Sequence, residues 1–207
     1  MTLADKPVRE LLAAFSSSDP TPGGGSASAL ASAIGASLLV MVAGLPKTRT
    51  GSDEEHTALA SSVRALAGLG RQLADAIDGD AAAYERVVAA HKLPKASDQE
   101  QQARTAAIQD ALRAATDVPL GVMRLSSDAL EEAKTIAAHG HRGAASDVGV
   151  ALTLLRAGLH GARLNVEINL TGITDDAYTR AVREELERHA SRADAAARVA
   201  HDSLAAR

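Results

Sequence analysis

The stretch PTPGGGSASALASAIGASLL, residues 20–39, decides how the chain is read. Three successive glycines make a helix harder to start, because each has much backbone freedom to lose. Yet the nineteen residues from Ala27 to Leu45 carry no charge and read as one helix. Such a run is long enough to test as a membrane span. Its first half is Ser, Ala and Gly instead of Leu, Ile or Phe, no aromatic belt flanks it, and no other segment is similar. The reading is instead a buried central helix, apolar all round, in which Ser28, Ser32, Gly35 and Ala36 let neighbouring backbones approach. This predicts a bundle wrapped around one core helix, with a partner subunit among the neighbours.

Outward from that helix, the rest of the chain reads as helix too. Pro7 opens a short helix carrying Val8, Leu11, Leu12 and Phe15 at helical spacing and ending near Ser17. Pro46 and the polar LPKTRTGS form a loop, and Ser52 with Glu55 matches a capping box. The helix that follows runs to about His91, with a bend expected at Gly79. A second capping box, Ser97 with Glu100, starts the next, and Pro119 inside its pattern predicts a kink or break. The glycine-bearing HGHRGAAS leads to a helix from about Ser146, and Thr174 to Asp176 caps the last one. Alternating strand patterns are almost absent. The fold class expected is all-α, a single-domain bundle of about six helices over residues 1–207.

Bulk properties narrow the function. A net charge of −4 and only three aromatic residues leave neither a basic field nor a stacking platform for nucleic acid. The absence of cysteine removes disulfides, thiolate zinc sites and cysteine nucleophiles. MTLADKPVRE has mixed charge and no apolar core of a signal peptide, so a cytoplasmic location is expected.

Three groups of residues can carry chemistry. Gly23, Gly24 and Gly25 precede the core helix, where bare N–H groups suit an anion or a polar ligand edge; a tight turn between packed helices explains them equally well. In IDGDAAAY, Asp78 and Asp80 are two apart on a helix and point about 200° from one another, so one carboxylate at most faces a given pocket. Asp80 and Tyr84 share a face, whereas Ala82 stands where a calcium loop needs an oxygen ligand. Asp147, Asn165 and Asn169 are polar residues in an otherwise apolar helix. An unbroken helix separates Asp147 from Asn165 by about 27 Å, so the two cannot touch one reacting atom within a subunit. The two asparagines stack on one face, where buried amides serve either catalysis or interhelical hydrogen bonds. The seven histidines show no metal-binding spacing, and no metal is expected; His139 and His141 read as solvated or capping groups.

Six blocks in order, PTPGGGSASALASAIGA, IDGDAAAY, KLPK, TAAIQDALRAATDVPL, SDVGVAL and GARLNVEINL, resemble the cyclodeaminase/cyclohydrolase family from about Val8 to Arg183. The family includes the cyclodeaminase half of formiminotransferase-cyclodeaminase and the stand-alone methenyltetrahydrofolate cyclohydrolases. The resemblance implies an all-helical, homodimeric folate enzyme that uses no cofactor or metal. It makes Asp80 the catalytic aspartate, and Gly23, Gly24, Gly25 and Ser26 the turn lining the folate cleft, bare so that a flat pterin can come close. Tyr84, Asp147, Asn165 and Asn169 fall at positions of the same cleft, and Lys47, Arg49 or Lys95 are candidates to meet the anionic glutamyl tail.

Two departures matter. Where many members carry Leu-Thr-x-Gly-Lys, this chain reads LPKTR with Arg49 in the lysine's place, a form similar to that of the stand-alone cyclohydrolases. Where Gly-Asn commonly precedes the Ser-Asp block, this chain has Gly140-His141. The expected activity is hydrolysis of 5,10-methenyltetrahydrofolate; the alternatives are cyclodeamination of 5-formiminotetrahydrofolate, or folate binding without catalysis.

Overall fold

The computed structural model describes residues 2–205. Its centre is the uncharged run, which forms α2 (Gly24–Gly44) and packs against α3 (Asp53–His91), α4 (Asp98–His139) and α5 (Ala145–Leu170). A short α1 (Val8–Phe15) precedes it, and α6 (Asp176–Ala205) lies chiefly on α4. Among the described residues α2 is the one helix long and apolar enough to cross a membrane, yet Ala29, Ala36, Leu39 and Val42 are fully enclosed by its neighbours. The fold is all-α, with six helices and a three-residue 3₁₀ turn at Arg142–Ala144 among the described residues.

The small residues of α2 set the packing distance. A Cβ on Gly158 of α5 would lie 2.0 Å from Ser32 Oγ and 2.6 Å from the Ser28 carbonyl oxygen, so α5 contacts the α2 backbone through a glycine. The enclosed hydroxyls are satisfied: Ser32 and Ser126 of α4 pair at 2.7 Å, and Ser28 donates to the Gly24 carbonyl at 2.6 Å. With these contacts α2 and α5 run antiparallel, bringing the first turn of α2 beside the last turns of α5.

Helix ends follow local chemistry. Ser97 and Glu100 form a full capping box. Ser52 Oγ accepts the Glu55 N–H at 3.2 Å, while the Glu55 carboxylate reaches Gly51 N at 2.6 Å. Asp175 Oδ1 accepts the Tyr178 N–H at 3.0 Å and starts α6. His141 Nδ1 accepts the Gly143 N–H at 3.0 Å, a capping role as expected.

α3 continues without interruption through Gly79. Of the kink or break expected at Pro119, the break does not occur: α4 runs unbroken past it. Proline lacks an N–H and so leaves the carbonyl four residues earlier, that of Ala115, without its helical donor. That carbonyl instead accepts Asn169 Nδ2 from α5 at 2.8 Å. The lost rung of α4 is thereby replaced by a bond to the neighbouring helix.

Candidate active site

Asp80, in the second half of α3, reaches over the first turn of α2. Its Oδ2 accepts the Ser26 main-chain N–H at 2.8 Å and lies 3.1 Å from Ser26 Oγ. The N-cap residue of α2 is Gly23, which has no side chain to offer the first-turn donors. Asp80 supplies that cap from another helix. Burial pushes its carboxyl above the ordinary carboxylate pKa, while the two Ser26 bonds pull in the opposite direction.

This arrangement answers why Gly25 is bare. A Cβ there would lie 2.0 Å from Asp80 Oδ1 and 2.4 Å from its Cγ. The space freed at Gly25 is filled by the protein's own carboxylate, which is reason enough for a glycine at this point of the cleft wall. Asp78 faces the other way: its carboxylate accepts the N–H groups of Leu3 at 2.5 Å and Ala4 at 3.2 Å. Only one carboxylate of the pair meets the cleft.

Asp80 opens on a cleft of about 270 Å³. α3 contributes Asp80, Ala83, Tyr84 and Val87, and α5 contributes Asn165 and Asn169. Ala115 of α4 and the turn residues Pro20, Thr21, Gly23, Gly24 and Gly25 complete the wall. Asn165 donates to the Gly161 carbonyl at 2.8 Å and Asn169 to the Ala115 carbonyl, so each amide is oriented with its oxygen left for another donor. The cleft therefore combines one carboxylate, two fixed amides, a half-exposed phenol ring and apolar walls. A larger groove of about 610 Å³ lies between α5 and α6, but its Arg156–Asp194 pair is 59% exposed at both ends, which describes an open surface furrow.

Several candidates lie elsewhere. Ser26 is fully buried behind Asp80 and does not line the cleft. Arg49 donates to the carbonyls of Gly140 at 3.0 Å and Ala137 at 2.5 Å, neutralising the C-terminal end of α4. Arg49 and Lys47 follow the C-terminus of α2, about 30 Å from its first turn at 1.5 Å per residue. Asp147 lies at the far end of α5, outside the cleft wall. Within one chain, Arg49 and Asp147 therefore lie away from the cleft that holds Asp80. Lys95 is exposed in the turn after α3, also outside the wall. Among the described residues no three His, Asp or Glu side chains converge as a metal site.

Sequence reading missed Pro20, Thr21, Ala83, Val87 and Ala115. Val87 continues the stripe of Asp80, Ala83 and Tyr84 and was findable by helical spacing. Ala115 carries no signal of its own.

Residues 7–188 match the sequence model of formiminotransferase-cyclodeaminase. The chain belongs to this family. A methenyltetrahydrofolate cyclohydrolase from Methylorubrum extorquens is 39% identical over 180 residues, 87% of this chain and 86% of that protein. Formimidoyltransferase-cyclodeaminase of Sus scrofa is 32% identical over the whole of this chain, which spans 38% of that longer protein. The crystal structure of formiminotetrahydrofolate cyclodeaminase from Thermotoga maritima matches with a TM-score of 0.86 at 27% identity, over 98% of this chain and 97% of that one. The family resemblance and the fold it implied both hold for this member, and so does the enclosure of α2 at the centre.

Proposed function

We propose that the chain hydrolyses 5,10-methenyltetrahydrofolate to 10-formyltetrahydrofolate. The observation that carries the reading is the partly buried Asp80 carboxylate, held by Ser26 at the head of a cleft with two oriented amides. The name of the Methylorubrum relative supports the same substrate.

The substrate's bridge is a cationic amidinium carbon, which a carboxylate attracts and a water can attack. Asp80 takes the proton of that water as the C–O bond forms. Asp80 then returns its proton to N5 as the bond from the carbon to N5 breaks and its electron pair goes to that nitrogen, and the hydroxyl proton passes to solvent as the formyl C=O forms on N10. The asparagine amides hold the ring system so that water and carbon meet in line, which is where much of the acceleration arises. Water is the only co-reactant required, and neither a cofactor nor a metal enters the scheme. The glutamyl tail is assigned to Lys95, since Lys47 and Arg49 belong to the opposite end of the bundle.

The assembly proposed is a cytoplasmic homodimer. Its support is an apolar face on α2, where Ile34 and Met41 remain 44% and 40% exposed beside Leu30 and Leu38. A second reading, release of ammonia from 5-formiminotetrahydrofolate, is favoured by the likeness to the Thermotoga cyclodeaminase.

Purified protein given each substrate separates the two. Loss of the methenyl absorbance without ammonia release from the formimino compound is expected. Ammonia release alone reverses the assignment, and saturable folate binding with no turnover of either removes catalysis.

A further inference from the structure

Ser26 lies behind the site and its hydrogen bonds are unusual in one respect. Its hydroxyl has one proton and two acceptors, the Ile77 carbonyl at 2.8 Å and Asp80 Oδ2 at 3.1 Å. Its main-chain N–H is committed to the same Oδ2. Asp80 Oδ2 is therefore held by the Ser26 N–H in either hydroxyl orientation, and Oδ1, the oxygen over Gly25, is the one that takes a proton without disturbing that bond.

We infer that Ser26 is the positioning residue of Asp80: its N–H fixes Oδ2, and its hydroxyl turns between Oδ2 and the Ile77 carbonyl as Asp80 loses and gains a proton at Oδ1. When Asp80 is ionised, the charge-assisted bond to Oδ2 is the stronger choice. When Oδ1 is protonated, the hydroxyl returns to Ile77. Ser26 thus stabilises the ionised carboxylate more than the neutral acid and opposes the effect of burial.

No other group near Asp80 is placed to do this. α2 contains no ionisable side chain from Gly24 to Gly44. The α4 wall is Ala115, and the α5 wall is Asn165 and Asn169. On α3, Tyr84 is the other titratable group of the cleft, and Asp78 is turned to Leu3 and Ala4. With no cation in the cleft wall, the two Ser26 donors are the hydrogen bonds that favour the charged form of Asp80 against burial.

This inference rests on Asp80 acting as the base, but its test does not need turnover. The Asp80 carboxyl is followed by carbon NMR titration in the full chain, with Asp80→Asn used to assign the signal. In Ser26→Ala the midpoint is expected to rise by about one pH unit, the weight of one hydrogen bond to a charged group. Ser26→Cys, close in size and a weaker donor, is expected to fall between Ala and wild type. Both keep the main-chain N–H, so the carboxylate stays in place. The acid limb of kcat/KM moves by the same amount as the NMR midpoint, with the plateau at higher pH retained within a few fold.

An Asp80 midpoint in Ser26→Ala equal to that of the wild type overturns the inference. So does a lowered plateau without any movement of the limb, which is the signature of a merely structural serine. A shifted NMR midpoint in a protein that turns over neither substrate supports the role of Ser26 and removes the proposed function instead.

Discussion

At the scale of single residues, Asp80 has two tasks with opposite demands. As a cap it must accept the Ser26 N–H, a task an amide oxygen performs nearly as well. As a base it must be ionised, which burial disfavours. Asp80→Asn separates these tasks, and turnover is expected to fall by about 100-fold or more while the protein stays folded. Because the folded carboxyl has the raised pKa, the folded state binds its proton more tightly than the unfolded chain does. Asp80 therefore favours folding most below its unfolded pKa, and that contribution declines as pH rises through the folded value. Thermal melts at several pH values check the sign: the Asn variant gains on the wild type as pH increases across this window. The sequence showed which carboxylate to choose, because two residues at a separation of two cannot share a helical face. It did not show that Gly25 makes room for Asp80, since that relation joins side chains 55 positions apart.

At the scale of elements, the contact between α2 and α5 is the tightest constraint on the cleft, because it fixes Asn165 against the first turn of α2. Gly158→Ala tests it. The new methyl meets the Ser28 carbonyl and the Ser32 backbone N as well as a hydroxyl, so the helices themselves must separate. A helix propensity gain of about 1 kcal/mol from removing glycine is outweighed, and a net loss of about 2 kcal/mol is expected. Urea unfolding measures it, through a lower midpoint at unchanged slope. Helix ends were legible because caps are local: Ser97 with Glu100, Ser52, and Asp175 all act within four residues of their partners. The contacts of Arg49 were hidden for the complementary reason. A cation in a loop looks free in sequence, and only the fold shows that the end of α4 lies beneath it.

At the scale of the molecule, an apolar stripe along α2 faces outward from a helix that is otherwise its core. Ile34→Glu places one carboxylate in the middle of that stripe, and two face each other if the copies meet there about a twofold axis. The particle mass by sedimentation is expected to halve relative to wild type with the helical spectrum unchanged; an unchanged mass excludes this face as the contact. The bundle itself was readable from periodicity and an uncharged run. So was the separation of Asp147 from Asn165 along one helix, whereas the meeting of Asn165 with the first turn of α2 was not, because it depends on how two helices pack. Finally, the proline within α4 couples parts of the chain that share no sequence neighbourhood. By withholding a donor it reserves a carbonyl for the amide of Asn169, so the cleft's geometry depends on a missing rung in the helix beside it. Restoring regularity there, as alanine would, gives a sturdier rod and a looser grip on that amide. A thermostability screen would welcome such a change while the catalyst deteriorated.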